Sequence, residues 1–239
     1  MVLKTLSERG NMGVTDIGRH LQLPKSIVYR LLASLLAADL VRVEKTSRRY
    51  ALGSGLLRMT AGWLGQIDVR SAAMPYLREL RQDTNETVAL NIRERDQVVT
   101  IERLDTSFEV RFVIDLCRPF PLYLGAAGKA ILAFLPIDEI NQIMSWEELT
   151  AKDEKRVRED LERIRQQGFA DTCGERVAGS RSISAPILDH EGLALASVSI
   201  LSLESRMQAD EVIECGRLIK AVSQKISNEM GFSARQSAA

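Results

Sequence analysis

Four side chains near the start of the chain have the chemistry needed to read a nucleic acid. At about 100° per residue they share one helix face, and they are Lys25, Ser26, Tyr29 and Arg30. A lysine and a serine in the first helical turn suit a phosphate, because free N–H groups and the helix dipole also attract an anion there. Arginine can hold guanine through two hydrogen bonds. We therefore expect Arg30 to contact a base and Tyr29 a sugar or a thymine methyl group.

Two predicted helices position this face. Val14, Ile17 and Leu21 form an i, i+3, i+7 stripe that is typical of a short buried helix face. After a break at residues 21–23, Pro24 suits the first position of a second helix, where its missing N–H is not needed. The second helix should bury the face opposite the polar one, namely Ile27, Val28, Leu31, Leu32 and Leu35.

A basic hairpin is predicted directly after the second helix. Residues 40–44 and 49–52 alternate as two short strands around the turn 45–48. Arg48 and Arg49 would contact phosphates or the minor groove from this wing. Helix, turn, helix and β-wing in this order suit entry into the major groove. The alternative is an ordinary small helical subdomain with charged outer faces.

The charge distribution favours the nucleic-acid interpretation. The chain has 32 basic and 32 acidic residues. Residues 1–60 contain ten lysines and arginines but only four acidic residues, so this segment carries +6 and the remainder −6. Attraction to phosphate needs positive charge only where the duplex lies. A neutral total is therefore no argument against double-stranded DNA as a partner.

Composition excludes several other classes of protein. The 239 residues contain no run of 18 apolar residues, so we expect no membrane partner. The three cysteines are odd in number and far apart, which favours a reducing cytoplasm over a disulfide framework. His20 and His190 have no partner at metal or triad spacing. We therefore expect no metal, no cofactor and no catalytic residues.

The rest of the chain predicts an α+β domain around an antiparallel sheet. Residues 56–82 should be helical, with a kink or break at Pro75. Trp63 and Leu64 in this region suit either a core or a subunit contact. Alternating residues predict strands over 87–93, 97–104, 108–114, 182–188 and 193–201. Further helices are predicted over 1–9, 125–135, 137–146, 152–167 and 207–230.

The small residues that begin at Gly125 allow two interpretations. A nucleotide-binding P-loop is excluded, because Tyr123 replaces the required glycine and Ala130 the required Ser or Thr. A helix start lined by glycine and alanine lets a small anion approach backbone N–H groups. Alternatively, these residues only allow the helix to pack closely on the sheet. Lys129 is expected to pair with a nearby carboxylate rather than with a ligand.

Four segments together resemble the isocitrate lyase regulator (IclR) family of bacterial transcription factors. They begin at Leu23 (LPKSIVYRLL), Arg49 (RYALG), Pro121 (PLYLGAAGKAILA) and Gly168 (GFA, continued by GSRSISAPI from Gly179). The resemblance implies a winged helix-turn-helix domain over 1–52, a helical linker over 53–74 and a GAF-like effector-binding domain over 75–239. It also implies dimers through the N-terminal domains, often paired into tetramers. Members usually carry a short lead-in before the first helix, so the start of this sequence is expected to be truncated or simply short.

The resemblance also implies where an effector binds. The pocket would be lined by Gly125, Ala126, Ala127, Thr172, Cys173, Ser182 and Ser199. A glyoxylate-responsive relative is expected to have Asp at 172, Cys at 182 and Ser at 201, where this chain has Thr, Ser and Leu. The pocket is therefore less acidic and carries hydroxyl groups. This difference argues against glyoxylate and leaves a small carboxylate or a sugar acid as the expected effector.

We therefore expect a ligand-responsive regulator, as a homodimer or tetramer, that represses a catabolic operon. Two alternatives belong to other classes of protein. An enzyme could turn over the bound ligand with Cys173 as nucleophile, although no base is identifiable. A nucleoid protein would bind DNA without sequence preference.

Overall fold

The computed structural model describes residues 1–44, 46–64, 68–147 and 149–232. The chain divides into two compact units, Met1–Ile67 and Asp68–Ala239. The boundaries 52/53 and 74/75 expected from the sequence stay a prediction. The side chains of Lys45, Trp63 and Leu64 lie outside the described part.

The first unit is a small helical core that carries a hairpin. Its elements are α1 (Val2–Arg9), α2 (Val14–Leu21), α3 (Lys25–Ala37), β1 (Val41–Val43), β2 (Tyr50–Leu52) and α4 (Gly55–Leu64). Ile17 of α2, Val28 and Leu32 of α3 and Val41 of β1 are buried together with Val2 and Leu6. The antiparallel pairing of Val43 with Tyr50 and of Val41 with Leu52 confirms the predicted hairpin.

A tight turn sets α3 against α2. Gln22 ends α2 in the left-handed region (φ 54°), and the N–H of Leu23 donates to the carbonyl of Gly18 at 2.9 Å. A Cβ atom at position 18 would lie 2.9 Å from the Leu23 carbonyl oxygen, so glycine permits this approach. Pro24 caps α3 rather than forming its first residue.

The buried stripe of α3 is narrower than the sequence predicts. Val28 and Leu32 are 0% and 1% exposed, whereas Ile27 and Leu31 are 36% and 41% exposed. The prediction that Ile27 and Leu31 are buried is wrong. Each precedes a buried residue and points about 100° away from it around the helix, so both lie at the edge of the packed face.

The second unit is an α+β domain around one antiparallel sheet. It contains α5 (Asp68–Thr84), β3 (Thr87–Glu94), β4 (Gln97–Leu104), β5 (Phe120–Pro121), α6 (Gly125–Leu132), α7 (Ile137–Trp146), α8 (Ala151–Gln167), β6 (Ala170–Cys173), β7 (Ser180–Leu188), β8 (Ala194–Leu203) and α9 (Ala209–Glu229). The strand order is β5-β4-β3-β8-β7-β6. α5 and α9 pack against the sheet and each other. α6 packs against β7 and β8, and its core extends to α7 and α8.

Two sequence predictions differ from the structure in this unit, the second of them only in part. Residues 108–114 form no strand, and three of their apolar residues, Phe108, Val110 and Val113, are 40%, 69% and 63% exposed. β4 instead bonds to the short β5 and accepts a hydrogen bond from the Cys117 N–H at the Thr100 carbonyl. α5 also continues through Pro75, so a break, one of the two predicted outcomes, is absent, and a kink there stays a prediction. Among the described helices, none is long and apolar enough to cross a membrane.

Candidate DNA interface and effector cavity

The polar face of α3 is exposed as the sequence predicts. Lys25 and Ser26 lie in the first turn of the helix, with Tyr29 and Arg30 one turn later. Tyr29 is 57% exposed although its neighbour Val28 is fully buried. Within the described residues, Lys25 and Arg30 form no ion pair, so their charges are available to an external anion.

The two wing arginines differ in their surroundings. Arg48 adopts φ 51° at the hairpin turn, and its side chain has no bonding partner among the residues that the structure describes. Arg49 instead donates to the carbonyl of Asn11 at 3.4 Å and lies 3.7 Å from a carboxylate oxygen of Asp16. The Arg48 guanidinium is therefore unpaired among the described residues, whereas the Arg49 guanidinium links the hairpin to Asn11, between α1 and α2, and to Asp16 of α2.

A cavity of about 470 Å³ lies beside the N-terminal end of α6. The floor of the cavity is formed by residues that are cross-strand neighbours in the sheet. Thr100 lies opposite Asn91, Ser182 lies opposite Leu201, and Thr172 lies opposite Ser182. The predicted residues that line it are Gly125, Ala126, Ala127, Thr172, Ser182 and Ser199. The wall includes Phe112, Val113 and Ile114 from the segment that was predicted as a strand.

A buried hydrogen-bond network supports the floor. Asn91 Nδ2 donates to Ser199 Oγ at 2.8 Å, and Thr100 Oγ1 donates to Asn91 Oδ1 at 2.8 Å. Ser184 and Ser199 share a 2.7 Å hydroxyl contact. A hydroxyl has one proton and two lone pairs, so Thr100 retains acceptor capacity toward the cavity. No motif in the sequence points to Asn91 and Thr100, which lie on β3 and β4, far along the chain from the segments that predict the pocket.

Cys173 does not line the cavity, which contradicts its predicted role in the pocket. It follows Thr172 on β6 and pairs with Arg181, so strand alternation directs it to the other face. Its side chain is exposed. Partial desolvation of the thiol by its neighbours and then a hydrogen bond with Glu204 raise the pKa of Cys173, which opposes the thiolate that a nucleophile needs.

The N-terminus of α6 is already occupied by side chains of the chain itself. Glu175 Oε2 accepts from the Gly125 N–H at 3.1 Å, and Thr172 Oγ1 accepts from the Ala126 N–H at 3.1 Å. The Ala126 N–H, expected to face a ligand, is thus bonded within the chain in this structure. Thr172 uses a lone pair in this bond, so its hydroxyl proton remains available as a donor.

Lys129 lies behind this helix end and is 1% exposed. Its ammonium contacts Asp160 at 2.7 Å and Glu175 at 2.6 Å. This pairing confirms the prediction that Lys129 binds carboxylates of its own chain. Gly128 also permits a close approach, because a Cβ atom there would clash with the backbone of Leu122 in the connection between β5 and α6.

Two arginines bring positive charge to the cavity wall, and the sequence analysis identified neither. Arg118 forms an exposed ion pair with Asp115 at 3.1 Å. The guanidinium of Arg176 lies 3.5 Å above the ring centre of Phe120. Partial burial, and then the charge of Arg118, lower the pKa of Arg176. The lining also includes the carboxylates of Asp115 and Glu175, which pair with Arg118 and Lys129. Among the described residues, Arg176 is therefore the lining cation that is left to attract a small polar anion beside the hydroxyl-bearing floor.

Comparison with known proteins identifies both units. The IclR helix-turn-helix domain matches residues 1–45, and the domain described as bacterial transcriptional regulator IclR C-terminal matches residues 61–228. The transcriptional regulator KdgR of Escherichia coli K12 is 29% identical over 97% of this chain and 90% of its own length. The transcriptional repressor AllR of the same strain is 32% identical over 94% of this chain and 85% of its own.

A solved structure agrees with these sequence relatives. The crystal structure of an IclR transcriptional regulator from Alicyclobacillus acidocaldarius superposes with a TM-score of 0.84 at 27% identity, and covers 96% of each chain. The curated relatives are named as regulators or repressors of transcription rather than as enzymes. The chain belongs to the IclR family of bacterial transcriptional regulators.

Proposed function

We propose that this regulator represses a catabolic operon and is released from its operator by a small acid that binds beside α6. The observation that carries the proposal is the 470 Å³ cavity, where hydroxyl groups and two arginines meet at the start of a helix. A sugar acid fits this chemistry best, because its hydroxyl groups can bond to Thr100, Thr172 and Ser182 while its carboxylate meets positive charge. The apolar wall excludes water around the bound molecule.

The proposed DNA contacts are the exposed polar face of α3 and the wing. Lys25 and Ser26 would bind a phosphate at the helix start, and Arg30 a guanine in the major groove. Tyr29 would contact a sugar or a thymine methyl group, while Arg48 and Arg49 would hold the backbone. The proposed assembly is a homodimer or tetramer, since paired helix-turn-helix units bind pseudo-palindromic operators.

The effector can weaken DNA binding only by its preference for one of two states of the protein. Such coupling is typically about 1–3 kcal/mol, or about 5- to 150-fold in affinity. The effector must therefore bind the DNA-free state more tightly by that factor. By reciprocity, operator DNA must weaken effector binding equally.

Fluorescence anisotropy tests the proposal. The full chain is titrated onto DNA from upstream of its own gene and onto a scrambled duplex, across a series of salt concentrations. A preference of about 10³-fold with a steep salt dependence is expected for a sequence-specific regulator. Sugar acids and simple carboxylates are then added to the complex, and at least one should release the DNA. Equal weak binding to both duplexes would contradict operator recognition.

A further inference from the structure

Glu175 occupies the position in the cavity wall that best suits an acidic effector. Its Oε2 accepts from the Gly125 N–H at 3.1 Å, and its Oε1 contacts the Lys129 ammonium at 2.6 Å. The Glu175 carboxylate thus already binds the Gly125 N–H and the Lys129 ammonium, the two groups nearby that a ligand carboxylate would need. The chain itself demonstrates that the position accepts this chemical group.

The next residue covers the same helix end. A Cβ atom on Gly125 would lie 2.8 Å from Cδ of Arg176, so the arginine stem rests directly on the first turn of α6. Within the described part of the chain, Arg176 has no carboxylate partner, and the charge of Arg118 acts unfavourably on it. An anion in the cavity would relieve this repulsion between two guanidinium groups.

Releasing Glu175 would not leave a buried charge alone. Lys129 keeps its 2.7 Å contact with Asp160 when Glu175 moves. The Glu175 side chain is 18% exposed and belongs to the segment between β6 and β7, so it can regain water on leaving the helix. The large penalty for an unpaired buried ammonium therefore does not arise.

We propose that Glu175 is an internal competitor of the effector, which an acidic ligand displaces from the Gly125 N–H group while Arg176 pairs with the ligand. This inference rests on the proposed function, because it takes the cavity as the effector site. It also defines selectivity. A ligand with a single carboxylate and no other polar group only replaces the Glu175 carboxylate at the Gly125 N–H, with no additional hydrogen bond. Tight binding therefore requires further hydrogen bonds to the hydroxyl groups of Thr100 and Ser182 on the cavity floor. The site thereby favours polyhydroxylated acids over short monoacids.

The test uses acetate, the smallest convenient carboxylate, as a probe of the full-length protein. Acetate is titrated at constant ionic strength, and the amide signals of Gly125, Ser182 and Ser199 are followed by NMR. Glu175→Ala removes the competitor and Glu175→Gln removes only its charge. Asp160→Asn is the matched control, because it removes one negative charge from the same cluster without touching Gly125. Acetamide serves as the neutral counterpart of the probe.

Acetate should bind about tenfold more tightly to Glu175→Ala, the loss of one competing charge-assisted bond. Glu175→Gln should bind acetate more tightly than the parent by a smaller factor, and the acetate affinity of Asp160→Asn should stay within about twofold of the parent. The affinity for acetamide should be no higher in the Glu175 variants than in the parent. The inference is overturned if both Glu175 variants bind acetate no more tightly than the parent, or if Asp160→Asn gains as much. Glu175→Gln keeps the side-chain size and gives the same test if the alanine variant does not fold.

The proposed function fails in a distinguishable way. If acetate binds all four proteins equally and moves the three amide signals, the inference is wrong but the effector site remains. If acetate moves none of these signals in any of the four proteins, the cavity is not the effector site and both proposals fail.

Discussion

The proposed DNA-binding surface and the proposed effector cavity differ in how their charged side chains are paired. Lys25 and Arg30 on α3 are exposed, and within the described residues they form no ion pair. In the cavity wall, Glu175 is bound by Lys129 and Arg118 pairs with Asp115, which leaves Arg176 without a carboxylate partner among the described residues. DNA is a polyanion of high charge density that attracts any free cation. A selective site for a small acid must discriminate among many anions, so paired charges that only a suitable ligand can separate are an advantage.

The largest effect should come from breaking the internal pairing. We expect Lys129→Met to lower the free energy of unfolding of the second unit by about 3 kcal/mol, because two half-buried carboxylates lose their shared cation. Lys155→Met on α8 is the matched control, since its ammonium is exposed and 3.9 Å from Glu159. Urea denaturation followed by circular dichroism measures both. Equal midpoints for the two variants would contradict a structural role for the Lys129 cluster.

The DNA surface should respond to substitution without loss of stability. Arg30→Ala is expected to cost about 1–3 kcal/mol of operator binding and to relax sequence preference, because a base contact is lost. Arg48→Ala should weaken binding to all DNA by a similar factor, since a phosphate contact carries no sequence information. Anisotropy with operator and scrambled duplexes separates the two. If Arg30→Ala has unchanged operator affinity and unchanged sequence preference, the bases are recognised by a different surface.

A substitution in the cavity should abolish the response to the effector without changing the affinity for the operator. Ser182→Leu places a branched apolar side chain on the cavity floor, so we expect the release of DNA by an acid to be abolished while operator affinity stays within about twofold. The measurement is the operator complex titrated with the releasing acid identified in the anisotropy experiment. A release curve identical to that of the parent would place the effector elsewhere.

The smallest predicted effect is a difference in stability between alanine variants of the two adjacent wing arginines, Arg48 and Arg49. Arg49→Ala should lower the free energy of unfolding of the first unit by about 0.5 kcal/mol, because an exposed ion pair with Asp16 contributes little. Arg48→Ala should leave the melting temperature unchanged. Calorimetry of both variants tests this difference, and a larger loss for Arg48→Ala would reverse the roles assigned to the two residues.

The sequence predicted the first unit well because its signals are local. Pro24, the stripe of Ile17 and Leu21 and the alternating hairpin residues each constrain a few neighbours, and the structure reproduces the elements that they predict. The exposed edge residues Ile27 and Leu31 were placed wrongly because periodicity gives a direction but not the width of the contact.

The cavity was only partly predictable because its residues meet through sheet pairing. The small residues from Gly125 to Ala127 stood out in the sequence, whereas Asn91 and Thr100 become cavity residues only through the register of β3 and β4. Glu175 and Arg176 lie in a segment without periodicity, so no local pattern indicated that they cover α6. The same limit explains the wrong strand over 108–114, because Phe112, Val113 and Ile114 line the cavity instead of pairing with the sheet.

The central position of β8 has a consequence for synthesis on the ribosome. β8 lies between β3 and β7, so the hairpins β3–β4 and β6–β7 cannot join into one sheet until residue Leu203 has emerged. At about 5–20 residues per second, the roughly 140 residues from the end of the first unit at Ile67 to Leu203 take about 7–28 seconds to translate. The unit that carries the proposed DNA contacts can therefore fold while the domain that would silence it is still incomplete, and the nascent chain could engage DNA before it is able to respond to an effector.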